Sequence, residues 1–199
     1  MISTRYKFIF IHVPKTAGNS IQAILKQYSE DKINNIKVKG EKVVQNFYVS
    51  NPQLKTSKHS PLNQYYYGWK KEFGDIDQYI KFGTIRNPWD RAISYYFFRS
   101  KDKRFNKKSF LNSLTRQSMF NFFQIDGKLD EIDYFIRFEN IQSDYDIVCD
   151  KIGIPRTKLP KLNKTKHESY TKYYDKEMIE IVAKKYKDDL KNFGYKFGE

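Results

Sequence analysis

The sequence predicts an α/β fold, one domain whose central parallel sheet is flanked by helices, and three observations carry that expectation. Residues 6–13 ("YKFIFIHV"), 79–85 ("YIKFGTI") and 132–138 ("IDYFIRF") are short apolar runs rich in aromatic and β-branched residues. The first is apolar on both faces, as a central strand of a parallel sheet requires; the second reads as another buried strand and the third as a further strand. Each is followed by a turn and then by residues at helical spacing, so strand and helix alternate along the chain. A chain of 199 residues is long enough to bury one sizeable core.

The first run leads into "HVPKTAGNS", residues 12–20, after which Ile21, Ile24, Leu25 and Tyr28 recur at the spacing of an apolar helix face. Residues 30–58 are polar and lysine-rich, with "VVQNFYVS" at 43–50 as a candidate strand. Behind the second run, Asn87 caps a helix that has Pro88 in its first position and Asp90 in its first turn. Residues 106–125 read as a further helix ending at the turn "DGK". The third run is backed by a helix over 139–153. The stretch 154–172, with two prolines and several lysines, reads as a long loop, and a final helix spans 175–193. No repeat and no internal linker is evident.

Composition narrows the function classes. A chain that is 39% hydrophobic and 17% aromatic with 9 Gly and 6 Pro is folded rather than disordered. The formal charge of +14 favours an anionic partner, whether nucleotide, nucleic acid or acidic polysaccharide. The single cysteine, Cys149, has no partner for an intrachain disulfide. No apolar run reaches the ~20 residues that span a bilayer, and no secretion signal is recognisable. The expectation is a cytoplasmic protein without membrane insertion.

The loop behind the first strand has the parts of a phosphate site. A strand, a turn with a glycine and a helix N-terminus aim backbone N–H groups at one point, where the helix dipole also favours negative charge. Asn19 and Ser20 add side-chain donors and Lys15 a mobile positive charge. The order G-x-x-x-x-G-K-[ST] of ATP-binding loops is absent, which disfavours a magnesium-dependent nucleotide kinase. Behind the second strand, Arg86 and Ser94 stand eight residues apart, about two helical turns along one face. A guanidinium fork and a hydroxyl suit a second phosphate. Pairing of Arg86 with Asp90 or Glu139, and packing of Ser94, explain the same residues equally well.

"PKTAGNS" resembles the 5′-phosphosulfate loop of sulfotransferases that use 3′-phosphoadenosine 5′-phosphosulfate (PAPS), and "RNPWDRAIS" resembles their 3′-phosphate motif. "KHS" at 58–60, "RFENI" at 137–141, "LPKLNKTKHESY" at 159–170 and the closing "FGYKF" extend the resemblance over nearly the whole chain. The likeness is to the carbohydrate sulfotransferases, among them heparan 2-O- and chondroitin-type enzymes and small bacterial members. It implies the P-loop-like sulfotransferase fold, with Pro14, Lys15, Thr16, Ala17, Gly18, Asn19 and Ser20 around the 5′-phosphate. It also implies Lys15 at the bridging oxygen of the leaving group, and Arg86 and Ser94 on the 3′-phosphate. Arg91, Lys164 and Lys166 become candidates for closing over the nucleotide. Where the family commonly carries Thr or Ser after the glycine, this chain has Asn19, which still offers an N–H donor.

Transfer to a hydroxyl needs a base, and a histidine near its ordinary pKa suits that task. His59 matches the position where this family often carries its catalytic histidine; His12 reads as structural, while His167 stands open between loop packing and a ligand contact. Glu139 could orient a basic side chain or simply favour a helix N-terminus. The resemblance thus implies in-line transfer from PAPS, leaving adenosine 3′,5′-bisphosphate (PAP), to a carbohydrate hydroxyl, with no metal required. Lysine-rich stretches at 32–42, 101–108 and 156–166 could grip an anionic saccharide, and the aromatics of "YYYGW" at 65–69 could stack on sugar or serve the core. A nucleotide kinase and a non-enzymatic polyanion or RNA binder are the competing classes.

Overall fold

A computed structural model describes residues 1–35, 47–100, 104–115, 117–162 and 167–199. In chain order its elements are β1 (Ile2–Ser3), β2 (Phe8–Ile11), α1 (Gly18–Leu25), β3 (Lys32–Asn35), β4 (Phe47–Asn51), β5 (Thr56–Ser57), α2 (Leu62–Phe73), β6 (Ile80–Ile85), α3 (Pro88–Arg99), α4 (Lys107–Ser113), α5 (Phe120–Phe123), β7 (Tyr134–Arg137), α6 (Ile141–Ile152), α7 (Lys176–Lys185) and α8 (Lys187–Phe193). Short 3-10 turns follow α1 and precede α6 and α7. The chain divides into two compact units, Met1–Ile85 with Phe122–Asn163 and Arg86–Asn121 with Lys164–Glu199.

The first unit carries a central, mostly parallel sheet in the order β1-β2-β6-β7. Two junctions, β2 with β6 and β6 with β7, are parallel, while β1 joins β2 antiparallel, so β1 and β7 form the two edges. Side chains two apart share a sheet face. Phe8 and Phe10 of β2, Phe82 of β6 and Ile136 of β7 therefore meet Ile21 and Leu25 of α1 and Tyr145, Val148, Cys149 and Ile152 of α6 in one cluster. Burying each large side chain contributes about 1.5–3 kcal/mol. On the opposite face Gly83 is required: a Cβ there would lie 2.2 Å from Cε1 of Phe123 and 2.9 Å from the Ile11 carbonyl. A separate antiparallel sheet joins β3, β4 and β5.

In the second unit α3 begins as the sequence indicates, with Pro88 in its first turn and the Asn87 side chain accepting from the Trp89 N–H at 3.1 Å. Trp89, Ile93, Tyr96 and Phe97 of α3 pack with Phe110 of α4 and Met178 and Val182 of α7.

Three expectations are corrected. The region 106–125 is two short helices rather than one, because the N–H groups of Met119 and Phe120 bond to the Asp189 carboxylate, at 3.0 and 2.8 Å, instead of continuing a helix. The last helix is interrupted at Tyr186, where φ is −111° and ψ 32°. Helix α2, unforeseen, turns Tyr65 and Trp69 into the interior and leaves Tyr67 half exposed. The candidate strand at 43–50 appears from Phe47 onward; its first residues lie outside the described ones.

Candidate active site

Strand β2 ends at Ile11, and the loop that follows is held by its own inward-facing side chains. Thr16 is fully buried, its hydroxyl donating to the Val13 carbonyl at 2.8 Å and sharing a hydrogen bond of 2.5 Å with the Thr84 hydroxyl on β6. With Thr16 anchored, the residues on either side, Lys15 and Ala17, take left-handed backbone angles, φ 69° and 66°. Such angles are strained for residues with side chains and recur at functional sites. Alternation of backbone hand is also the geometry that turns successive N–H groups toward one point.

Helix α1 then starts without a cap: Ala17 has no side-chain acceptor, and the first turn holds no acidic residue. The Ala17 carbonyl accepts the Ser20 N–H at 2.9 Å. Among the described residues no acceptor meets the N–H groups of Gly18 and Asn19. A helix start without its own oxygen acceptor leaves donors and dipole to an anion. Ser20 is buried and its Oγ accepts from the Leu162 N–H at 3.4 Å, whereas Asn19 carries a buried Oδ1 without a partner. Pro14 and Lys15 are half-buried at the loop's outer part.

Next to this loop lie two histidines. The His59 Nδ1 sits 2.9 Å from the His12 carbonyl oxygen, and the two rings meet edge to face with centroids 4.6 Å apart. A carbonyl can only accept, so neutral His59 carries its hydrogen on Nδ1 and presents the lone pair of Nε2. Burial, reinforced by the charge of Lys58, lowers the His59 pKa below 6.5, and His12 is pushed well below that value by burial and then by His59 and Lys58. Lys58 is itself lowered to about 8 by burial. The His12 ring lies directly over Gly18, where a Cβ would come within 2.2 Å of its Cδ2 and 2.5 Å of its Nε2.

In the second unit the Arg86 Nε donates to the Asp90 carboxylate at 2.8 Å, and both side chains are largely buried. Ser94, on the inner face of α3, is 3% exposed. Arg91 is buried and directs Nη1 and Nη2 to the Gln117 carbonyl, both at 3.3 Å, with the Asp189 carboxylate 4.0 Å away. His167 stacks on Phe97, centroids 5.7 Å apart and planes within 13°. Lys164 and Lys166 lie outside the described residues, as do parts of the three lysine-rich stretches. Glu139 is exposed in the 3-10 turn before α6. Among the described residues no group of three or more metal-ligating side chains comes together.

Reading by motif passed over Gln22, Lys58 and Thr84. Gln22 is 1% exposed, and its amide interacts with the His12 side chain without making a well-aligned hydrogen bond among the described residues. Its signal was a polar residue four positions after Gly18 on the apolar stripe of α1. Lys58 stands beside a histidine already singled out, whereas Thr84 carried no signal inside an apolar run.

Comparison with known proteins adds the family context. The model of the sulfotransferase family matches residues 1–128. An uncharacterised protein of Archaeoglobus fulgidus is 30% identical over 104 residues, covering 49% of this chain and 87% of the relative. No solved structure matches the chain.

Proposed function

The chain belongs to the sulfotransferase family, and from that premise we propose that it moves a sulfuryl group from PAPS to a carbohydrate hydroxyl. The observation that carries the reading is the His59 ring, held through Nδ1 by the His12 carbonyl beside the uncapped start of α1. A base with a bare Nε2 and a set of unaccepted N–H donors then adjoin each other within one unit.

In this reading the N–H groups from Lys15 to Asn19 hold the 5′-phosphate, with the Asn19 amide and the Ser20 hydroxyl as further donors, while the Ser20 N–H is given to the Ala17 carbonyl. Thr16 shapes the loop from inside through Val13 and Thr84. Lys15 neutralises charge gathering on the bridging oxygen as the S–O bond breaks, which is electrostatic stabilisation already in place before the reaction. His59 Nε2 takes the acceptor hydroxyl's proton as the new S–O bond forms. Arg86, oriented by Asp90, and Ser94 bind the 3′-phosphate that distinguishes PAPS from ordinary adenine nucleotides. Lys164 and Lys166 would cover the nucleotide, and Arg91 would support that side from within through Gln117. No step calls on a metal. The net charge of +14 suits an anionic donor and favours an acidic saccharide over a neutral one. A cytoplasmic location accords with the buried thiol of Cys149 and with the lack, among the described residues, of a helix long and apolar enough to cross a membrane.

Calorimetric titration with adenosine 3′,5′-bisphosphate and with ADP, both without magnesium, tests the donor. Binding of the bisphosphate that exceeds ADP and is lost in Arg86→Ala is expected; equal binding of the two, or none, overturns the reading.

A further inference from the structure

His12 was expected to be structural, and its surroundings give it a more specific part. Its ring is 4% exposed and lies between the His59 ring, 4.6 Å away, and the backbone of Gly18 at the head of α1. The stacked Phe10 ring, 6.1 Å away, closes it on the β2 side. The neighbouring Gln22 amide interacts with the His12 side chain and raises its pKa somewhat, but neither His12 Nδ1 nor the Gln22 amide makes a well-aligned hydrogen bond among the described residues. A buried polar atom without a partner costs about 1–3 kcal/mol, so an apolar side chain here would serve stability better. What the ring does supply is a rigid planar edge that sets three parts in register: the end of β2, the start of the phosphate loop's helix, and His59.

We propose that His12 is the positioning residue for His59: its carbonyl holds the Nδ1 hydrogen, and its ring, wedged over Gly18, fixes that carbonyl and the facing imidazole so that Nε2 points outward as the base. The inference rests on the reading of His59 as base. Among the described residues the charged and titratable groups that face His59 are Lys58, its chain neighbour, and His12 itself. Burial, with a smaller contribution from the charge of Lys58, disfavours protonation of both rings, and a neutral His12 leaves the edge-to-face contact free of charge repulsion. A histidine held in one tautomer by a fixed acceptor on its other nitrogen delivers its lone pair in one direction.

The test uses the full chain with 15N-labelled histidine. Long-range proton–nitrogen spectra read the His59 tautomer directly, without substrate, and turnover is measured in parallel. In the wild type and in His12→Phe, which keeps a flat ring in the same place, His59 stays in the single Nδ1–H form. In His12→Ala it relaxes to a mixture of both tautomers. In the same variant kcat falls by about tenfold or more, a part of the ~10²–10⁴ that a general base supplies, while the donor KM moves little. His12→Phe restores most of kcat. Should His12→Ala fail to fold, His12→Leu, which fills volume without a planar edge, is read in its place. An unchanged tautomer and kcat in the Ala or Leu variant overturns the proposal alone. Full turnover by His59→Ala overturns it together with the base assignment.

Discussion

Replacing Gly18 by alanine gives opposite signs on two grounds, which makes it the sharpest test of the site's architecture. Gly18 opens α1 with an ordinary negative φ, so helix propensity alone favours alanine by up to ~1 kcal/mol. The structure sets the new Cβ 2.2 Å from Cδ2, 2.5 Å from Nε2 and 2.7 Å from Cγ of His12. Those contacts run to the base of the ring, which is enclosed by Phe10 and His59 and cannot simply swing aside. Overpacking of this kind costs about 1–3 kcal/mol. The net expectation is a loss on the order of 1 kcal/mol, or a Tm lower by ~2–4 °C for a chain of this size. A double-mutant cycle separates the two terms. In the His12→Ala background the collision is gone, so Gly18→Ala should become neutral or stabilising, with a coupling of about 1–3 kcal/mol between the sites. Urea unfolding of the four proteins at pH 7.5 measures it. Stabilisation by Gly18→Ala in the native background, or the same effect in both backgrounds, refutes the stated packing.

Other expectations follow from the same geometry. His59→Ala should reduce kcat by ~10²–10⁴ while calorimetry shows adenosine 3′,5′-bisphosphate bound as in the wild type. Gln22→Met removes a buried amide that makes no well-aligned hydrogen bond and interacts only with the His12 side chain among the described residues; it should stabilise by about 1 kcal/mol, seen as a rise in the urea midpoint. Asp189→Ala strips two N–H groups and the buried Arg91 of their carboxylate, and thermal unfolding should show a loss on the order of 3 kcal/mol. His12 and His59 both bind protons less readily when folded than at their ordinary 6.5. As pH falls below ~6.5 the unfolded chain takes up protons first, so stability declines toward pH 5. Unfolding curves between pH 7.5 and 5 should show this decline, and His12→Phe should flatten it.

What could be read in advance was whatever depends on neighbours in sequence. The runs over 79–85 and 132–138 announced strands through their aromatic and β-branched residues, and β6 and β7 are parallel neighbours, with β7 at the sheet's edge. The Asn87-Pro88 start of α3 was legible because a cap and its helix are adjacent. So was the loop before α1, whose turn, glycine and helix lie within nine residues. Helix α2 was hidden by aromatics that suggest no single period, and 106–125 looked continuous because nothing nearby reveals the carboxylate of Asp189. The donors of the candidate site were therefore legible as residue types, but not which of their side chains face inward.

The sequence by itself determined the family, the three parallel strands with the helix behind each, and the chemical character of the two motifs, since these follow from local pattern and composition. Only the tertiary structure decided that Thr16 turns inward to Thr84, that Gly18 must lack a side chain because His12 lies on it, and that the His12 carbonyl selects the free nitrogen of His59. The physical reason is distance along the chain. His12 and His59 are 47 residues apart, and Thr16 and Thr84 are 68 apart. Only the folded chain can bring such groups within hydrogen-bond reach.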